Sequence, residues 1–463
     1  MARIEDQRYV AALKIVRRLH ALGHVAYFAG GCVRDLLLGV VAQDFDVATS
    51  ATPELVQAAF SRTESVGAHF GVVLVIDPVQ HQEAVGRVAT EVATFRHDGA
   101  YSDGRRPDAV KFSLDPREDV LRRDFTINGL LLDAMAYEAG DRIEDCVLDF
   151  VGGRGDLHAR LVRAIGEPSV RFAEDKLRML RAVRFAARLG FAIDRRTMEA
   201  IAQQAENIGV VSAERVRDEL TKILTEGGAR RGFELLDASG LLAQVLPEIR
   251  RMKGVEQPPQ YHPEGDVWTH TLMLLEHLPA GASPTLAWGM LLHDVGKPAT
   301  FTPPDPVRAG DRIRFNGHVD VGVAVARTML TRLRFSGDDA DQIVALIQNH
   351  MKFGDVRKMN QSTLKRFLRL PKFEEHMALH RADCLSSNGR LETYAFAKQQ
   401  REAMGTEEIR PRLLLTGEDL IAAGYRPGPQ FRVMLDAAED AQLEGTVTTK
   451  EEALRLVRER YAG

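Results

Sequence analysis

Residues 30–46 read GGCVRDLLLGVVAQDFD: two adjacent glycines, an arginine three residues on, and two aspartates separated by one phenylalanine. Side chains two apart in a strand point the same way, so Asp44 and Asp46 would share one face while Phe45 enters the core. Paired carboxylates repel unless a hard cation lies between them. Mg2+ takes oxygen ligands and completes its shell with water and phosphate oxygens. Gly30 and Gly31 lack Cβ atoms, so the backbone can approach a phosphate and turn N–H groups toward it. VRDLLL then begins a helix whose positive end faces the same place, and Arg34 adds a full charge. A lone DxD is usually a polar strand end, and a lone glycine pair is usually a turn. Together these residues describe a triphosphate cradle facing a metal site.

The elements that must hold this cradle are legible nearby. Val10, Leu13, Val16, Leu19 and Leu22 give an amphipathic helix over 8–22 that ends at Gly23. VAYFAG reads as a strand, VRDLLLG as a short helix and DFDVAT as a second strand. TPELVQAAF carries a threonine N-cap and a proline at the first helical position. GVVLVI (71–76) and EVATF (91–95) are further strands. The alternation argues a small α/β domain ending near residue 150. From 171 onward the pattern is helical, with breaks at GVEQPPQYHPEG (254–265) and FTPPDPVRAG (301–310).

The chain has 463 residues, 45% hydrophobic and 27% charged, which suits two to four globular domains. Cys32, Cys146 and Cys384 form no CxxC pair, which argues against a zinc ribbon or disulfide framework and fits a reducing cytoplasm. The start, MARIEDQRYV, predicts no signal peptide, and no run is long and apolar enough to predict a membrane span. A net charge of −4 does not favour nucleic acid. Arginine clusters do: GRRP (104–107), LRRDF (121–125), RMLRAVRFAARLG (178–190) and LKRFLRLPK (364–372) offer the planar forks that clamp phosphates, unless they are solvated helix faces.

GGCVRDLLLG…DFD resembles the signature of the class II template-independent RNA nucleotidyltransferases, the CCA-adding enzymes and bacterial poly(A) polymerases. The likeness continues through EVATFRHDGAYSDGRRP (91–107), RRDFTINGLLLD (122–133), LDFVGGRGDL (148–157), EDKLRMLRAVRF (174–185) and ERVRDEL (214–220). The resemblance implies an α+β protein. A polymerase beta-like nucleotidyltransferase head (1–150) would precede a helical neck (151–250), an HD body (255–395) and a tRNA-binding tail (396–463). It implies that Gly31 and Arg34 contact the triphosphate and that Asp44 and Asp46 bind Mg2+. Glu91 would take the proton of the attacking hydroxyl, and Arg123 would reach the nucleotide. Asn128 would tie that segment to the strand or act as a cap. The stretch 96–107 resembles the loop the family uses in switching between CTP and ATP. On the helix expected over 174–184, Asp175, Arg178, Arg181 and Arg184 recur every third residue. Asp175 offers acceptors and Arg178 donors, so the pair can read a Watson–Crick edge. Arg181 and Arg184 would lie near base or phosphate. The bland alternative is an ion pair of Glu174 with Arg178 on a wet face.

A second constellation lies in the helical region: His270, the adjacent His293 and Asp294 with Lys297, then His318, His350 and Asp383. Imidazole and carboxylate together suit a transition metal, whereas a lone histidine on an apolar helix is more often packed than liganding. The order H…HD…D resembles the HD phosphohydrolases. That resemblance implies His270, His293, Asp294 and Asp383 as ligands, His318 and His350 for a second metal or a phosphate, and Lys297 for a phosphate. Phosphatase and 2′,3′-cyclic phosphodiesterase activities accompany such a domain in some relatives.

The leading expectation is a cytoplasmic enzyme that builds or repairs the 3′-terminal CCA of tRNA from CTP and ATP. Within the same chemistry the rivals are a poly(A) polymerase and partial enzymes adding only CC or only A. Outside it, they are an HD hydrolase with an inert head and a non-catalytic RNA-binding protein.

Overall fold

The computed structural model describes residues 6–65, 71–81, 84–99, 109–279, 281–308 and 310–461. The stretch 96–107, expected as the switching loop, lies largely outside the described residues, as does the basic GRRP. The chain forms two compact units, Met1–Val245 and Leu246–Gly463.

In the first unit, α1 (Gln7–Ala21) starts where the Asp6 carboxylate accepts from the Arg8 N–H, which satisfies an orphan amide of the first turn. Its buried stripe of Leu13, Val16 and Leu19 packs into the core of a seven-stranded sheet. The main-sheet strands are β1 (Ala26–Ala29), β2 (Asp46–Thr49), β3 (Thr63–Glu64), β4 (Val72–His81) and β5 (Ala84–Thr94). A separate pair, β6 (Arg96–Asp98) and β7 (Val110–Phe112), precedes β8 (Leu130–Leu132) and β9 (Val147–Asp149) of the main sheet. The order is β3-β4-β5-β2-β1-β8-β9. β2 and β5 are parallel, and the other neighbours are antiparallel. The short alternating elements therefore build a mixed sheet, because β4 and β5 pair directly with each other and leave one parallel contact to β2. The later helices of this unit include Pro168–Glu174, Leu177–Leu189, Ala213–Thr225 and Ala229–Ala238.

The second unit is helical. Pro284–Leu292 is apolar all round and buried from Thr285 to Leu292, as a helix at the centre of a bundle must be. Around it lie Val267–Glu276, Gly337–Asn349 and Phe373–Ser386, with His318–Arg332 packed on Gly337–Asn349. The last helices, Gly417–Ala422, Gln430–Leu443 and Lys450–Tyr461, enclose a core of their own built on Leu420, Met434, Ala453 and Val457. Among the described residues no helix is long and apolar enough to cross a membrane.

Candidate functional site

The first unit holds a polar cleft of about 640 Å3. β1 runs into Gly30, whose φ of +77° turns the chain straight into α2 (Gly31–Leu37). A side chain at Gly30 would be strained in that conformation, and its Cβ would sit 3.0 Å from Arg123 Nη1. The bare backbone thus makes room for an arginine of the cleft. Phe45 is buried, with Tyr9 packed edge-on at 5.4 Å, and this pins the aspartates on either side of it. The strand itself begins at Asp46, so Asp44 lies just outside it and is exposed. Val47 pairs with Val92 in the β2–β5 register, which sets Glu91 beside Asp46.

Asp46 is pushed up to about 6 by burial first, then by the negative charges of Glu91 and Asp44, against the pull of Arg123. Such a site favours a cation. Asp44 and Asp46 could hold a divalent metal, with Glu91 beside them as a third carboxylate. Cys32, also in the lining, is buried, donates to the Ala29 carbonyl and has its thiol pushed up to about 12; it has no reactive character.

The cleft gathers the head residues Gly31, Arg34, Asp44, Asp46, Glu91 and Arg123 and, from the segment expected as the neck, Asp175, Arg178, Arg181 and Arg184. The arginines are not free, however. Arg34 is 2% exposed; it donates to Asp35 and, at 2.6 Å, to Asn128 Oδ1. Asn128 in turn donates to Asp124, so it ties α2 to the segment after β7. Arg123 is held by Asp119 at 2.9 Å. Arg181 is held by Asp124 at 2.6 Å. Arg184 is buried against Glu219 at 2.5 Å and Glu226 at 3.0 Å, so its guanidinium belongs to the framework of the cleft.

The single helix expected over 174–184 is two helices. Pro168–Glu174 ends at Asp175, which is extended (φ −141°, ψ 107°), and Leu177–Leu189 follows. Asp175 causes the break, because its Oδ1 accepts from the Leu177 N–H and competes with helical continuation. Its Oδ2 is paired with Arg215 at 2.8 Å. Arg178 donates to Glu174 at 2.7 Å and to the backbone carbonyls of Arg171 and Arg122. The Glu174–Arg178 ion pair is therefore present, and it borders the cleft. Asp119 and Asp124, fully or nearly buried, are functional neighbours that sequence reasoning missed. Their adjacency to Arg122 and Arg123 in EDVLRRDF is the signal that could have found them.

Elsewhere the basic clusters are also neutralised. In LKRFLRLPK, Arg366 and Arg369 both pair with Glu439 of the acidic helix Gln430–Leu443.

In the second unit, the C-terminal end of Pro284–Leu292 delivers His293 and Asp294 to a cavity of about 770 Å3. Asp294 is the centre of the cluster. Its Oδ2 lies 3.1 Å from His293 Nε2 and 3.9 Å from His270 Nε2. Its Oδ1 lies 3.8 Å from His318 Nε2 and 3.9 Å from His350 Nε2. Asp383 approaches His270 Nε2 at 3.2 Å. Two trios share Asp294, namely His270–His293–Asp294 and Asp294–His318–His350, and in each the donor atoms lie within 4.8 Å of one another. The Nε2 atoms of His270 and His293 are buried with carboxylate oxygens close by but no well-aligned hydrogen bond. Such convergent imidazole nitrogens around carboxylates suit a transition metal. Lys297 contacts Asp294 at 2.6 Å and donates to Gln257. His270 is desolvated, yet the Asp383 and Glu264 carboxylates raise it to about 9, and burial lowers His350 to about 4.

The mixed sheet and the acidic side of its arginine-ringed cleft lie in the segment that matches a poly(A) polymerase head. Residues 26–163 match the Poly A polymerase head domain, 190–253 the probable RNA and SrmB-binding site of polymerase A, and 318–457 tRNA nucleotidyltransferase domain 2. Three segments of the chain thus match domain models of the poly(A) polymerase and tRNA nucleotidyltransferase family. It is 44% identical to the CCA-adding enzyme of Geobacillus stearothermophilus over 234 residues, 50% of this chain and 54% of that protein. The matched stretch thus spans about half the length of that curated relative. The structure of the Bacillus stearothermophilus CCA-adding enzyme in complex with CTP is 28% identical, covers 98% of both chains and superposes with a TM-score of 0.73. A Thermotoga maritima CCA-adding enzyme complexed with tRNA is alike in fold, at 17% identity, TM-score 0.53 and coverage of 99% of this chain and 96% of that one. The family implies dependence on a divalent metal.

Proposed function

We propose that this chain is a template-independent tRNA nucleotidyltransferase that builds or repairs the 3′-terminal CCA from CTP and ATP. The observation that carries the reading is one cleft holding Gly30–Gly31, the Asp44–Asp46–Glu91 carboxylates and the Asp175–Arg178 pair. The relatives named for CCA addition support it, and the structure of one of them is a complex with CTP. Asp44 and Asp46 would hold Mg2+, which supplies charge neutralisation on the triphosphate and a more acidic attacking hydroxyl. Glu91 accepts the proton of the RNA 3′-hydroxyl. The 3′-oxygen bonds to the α-phosphorus, the bond from that phosphorus to the β-phosphate bridge breaks, and pyrophosphate leaves. The bend at Gly30–Gly31 admits the triphosphate, while Arg34 and Arg123 act by position and charge. Asp175 and Arg178 exchange their internal partners for the Watson–Crick edge of the incoming base.

The work is divided as head (1–150), neck (151–250), body (255–395) and tail (396–463), with tRNA held by neck, body and tail in the cytoplasm. Incubation with tRNAs ending before CCA, in CC or in CCA, with CTP, ATP or both, tests the reading by product length. Addition stopping exactly at CCA is expected. Unlimited A tails would favour a poly(A) polymerase, and CC-only or A-only products would favour the partial enzymes.

A second activity is favoured by the Asp294-centred cluster. We propose that His270, His293, Asp294 and Asp383 hold one transition metal, and that Asp294, His318 and His350 hold a second ion or a phosphate. In this reading the body hydrolyses phosphate esters: water adds to phosphorus and one ester P–O bond breaks. Lys297 neutralises the phosphate. Hydrolysis of a 2′,3′-cyclic phosphate by the wild type, and its loss with the bound metal in His293→Ala, is the expected result.

A further inference from the structure

Each histidine of the body cluster presents Nε2 to the central carboxylates, and each has Nδ1 engaged behind it. For His293, His318 and His350 the partner is the backbone carbonyl three residues earlier, Met290 at 2.9 Å, Phe315 at 2.9 Å and Ile347 at 2.7 Å. His270 differs. Its Nδ1 lies 2.7 Å from Glu264 Oε1, a side chain from the segment before the helix Val267–Glu276. The same oxygen is 2.8 Å from His262 Nδ1. The Glu264 side chain is only 4% exposed, and its Oε2 is buried without a partner. The His262 ring packs edge-on against that of His270 at 4.9 Å.

A neutral imidazole carries its proton on one nitrogen and its lone pair on the other, and only the lone pair can bind a metal. An acceptor fixed at Nδ1 sets the tautomer, holds the ring plane and raises the basicity of Nε2. The carbonyls of Met290 and Ile347 come with the helices that lead into their histidines, and that of Phe315 is backbone just before the helix that His318 opens. Glu264 is a separate residue that would have to be retained for this purpose.

We propose that Glu264 is a positioning residue of the body metal centre: it accepts the Nδ1 proton of His270 and thereby commits Nε2 to the metal. The inference rests on reading the cluster as a metal centre. His262 serves as the second donor that holds the Glu264 carboxylate in place.

The test uses the full chain in an Asp44→Ala/Asp46→Ala background, so that the head carboxylates do not contribute. Zn2+ or Mn2+ affinity is measured by chelator competition for the parent, Glu264→Ala, Glu264→Gln and His293→Ala. Glu264→Ala is expected to weaken binding about 10- to 100-fold, with Glu264→Gln, which keeps an acceptor oxygen, in between. Glu264→Ala made with the head intact should add nucleotides at the wild-type rate, which excludes general misfolding. Nitrogen-15 spectra of the loaded parent should show His270 protonated at Nδ1 and metal-shifted at Nε2.

Unchanged affinity in Glu264→Ala, with affinity lost in His293→Ala, overturns the role of Glu264 and leaves the metal centre standing. So does a loaded His270 protonated at Nε2, a result that holds even if Glu264→Ala does not fold. Equal binding, or none, in the parent and His293→Ala overturns the metal centre and the inference with it.

Discussion

The head cleft and the body cluster are both built from charged side chains, and they are assembled on opposite principles. In the cleft of the first unit, the arginines and Asp175 are tied to protein partners of opposite charge: Arg123 to Asp119, Arg181 to Asp124, Arg178 to Glu174 and Asp175 to Arg215. In the proposed reading these groups exchange partners when a nucleotide arrives, and the same ion pairs serve as scaffold and as stored binding capacity. In the body, the histidines are aimed by hydrogen bonds at their far nitrogens and converge on Asp294 from the outset. The cluster is preorganised, and the proposed metal would add to it without displacing its framework. The contrast follows from chemistry. An arginine fork finds a carboxylate wherever it can, whereas an imidazole has one nitrogen to fix and one to offer.

The comparison can be broken at several strengths. The largest expected effect is on the head carboxylates. Asp46→Ala should lower nucleotide addition by on the order of 10^3-fold or more, as removal of a metal-holding group costs several kcal/mol of barrier. RNA binding, read by filter retention, should be little changed. Normal turnover would remove the metal from the head.

Next comes the scaffold role. Arg184→Met leaves Glu219 buried without its cation and should destabilise the protein by about 3–5 kcal/mol, read by denaturant unfolding. A neutral result, coupled with a raised KM for CTP, would mean that Arg184 belongs to the nucleotide after all.

Partner exchange is tested by Arg178→Ala. It should cost about 1–3 kcal/mol of discrimination between correct and incorrect bases, seen as misincorporation of UTP or GTP, with the fold intact. Loss of stability without loss of fidelity would leave only the Glu174–Arg178 ion pair.

The smallest effects concern pH, and the two units should respond with opposite sign. Asp46 is raised to about 6, so the metal-free head is favoured while Asp46 is protonated and loses that contribution as pH rises from the ordinary carboxylate range through 6. Metal affinity there should fall by up to about tenfold per pH unit below 6. In the body, His376 is buried, lacks partners at both ring nitrogens and is lowered to about 4, chiefly by burial. Its contribution is full above the ordinary histidine range and is lost as pH falls from about 6.5 toward 4. Unfolding midpoints of Asp46→Asn and His376→Phe across pH 4–7 should flatten these opposite slopes, and slopes of one sign would refute the contrast.

Local physics made much of this legible from residues alone. The stripe of Leu13, Val16 and Leu19 reads as a helix, and the Gly30–Gly31 turn reads as a close backbone approach. The alternation around Phe45 reads as two aspartates facing away from the core, even though the strand begins only at Asp46. The arginine clusters were less legible. RMLRAVRFAARLG looks like a nucleic-acid surface, yet Arg184 and Arg188 are paired with acids tens of residues away. LKRFLRLPK and the acidic stretch near the C-terminus look like separate features, but they neutralise each other through Glu439.

The amino-acid order by itself determined which chemistries were available: a glycine bend, carboxylates at strand spacing, a helix rich in arginine and a set of histidines around an HD pair. These follow from backbone freedom, side-chain periodicity and donor type, which act over a few residues. Tertiary structure alone decided which charges are spent and which remain to be offered. It also made Asp175 answer to Arg215 and joined the two histidine trios through Asp294. Those outcomes depend on burial and on partners distant in the chain, because the cost of an unpaired charge is levied only once folding has removed the water around it.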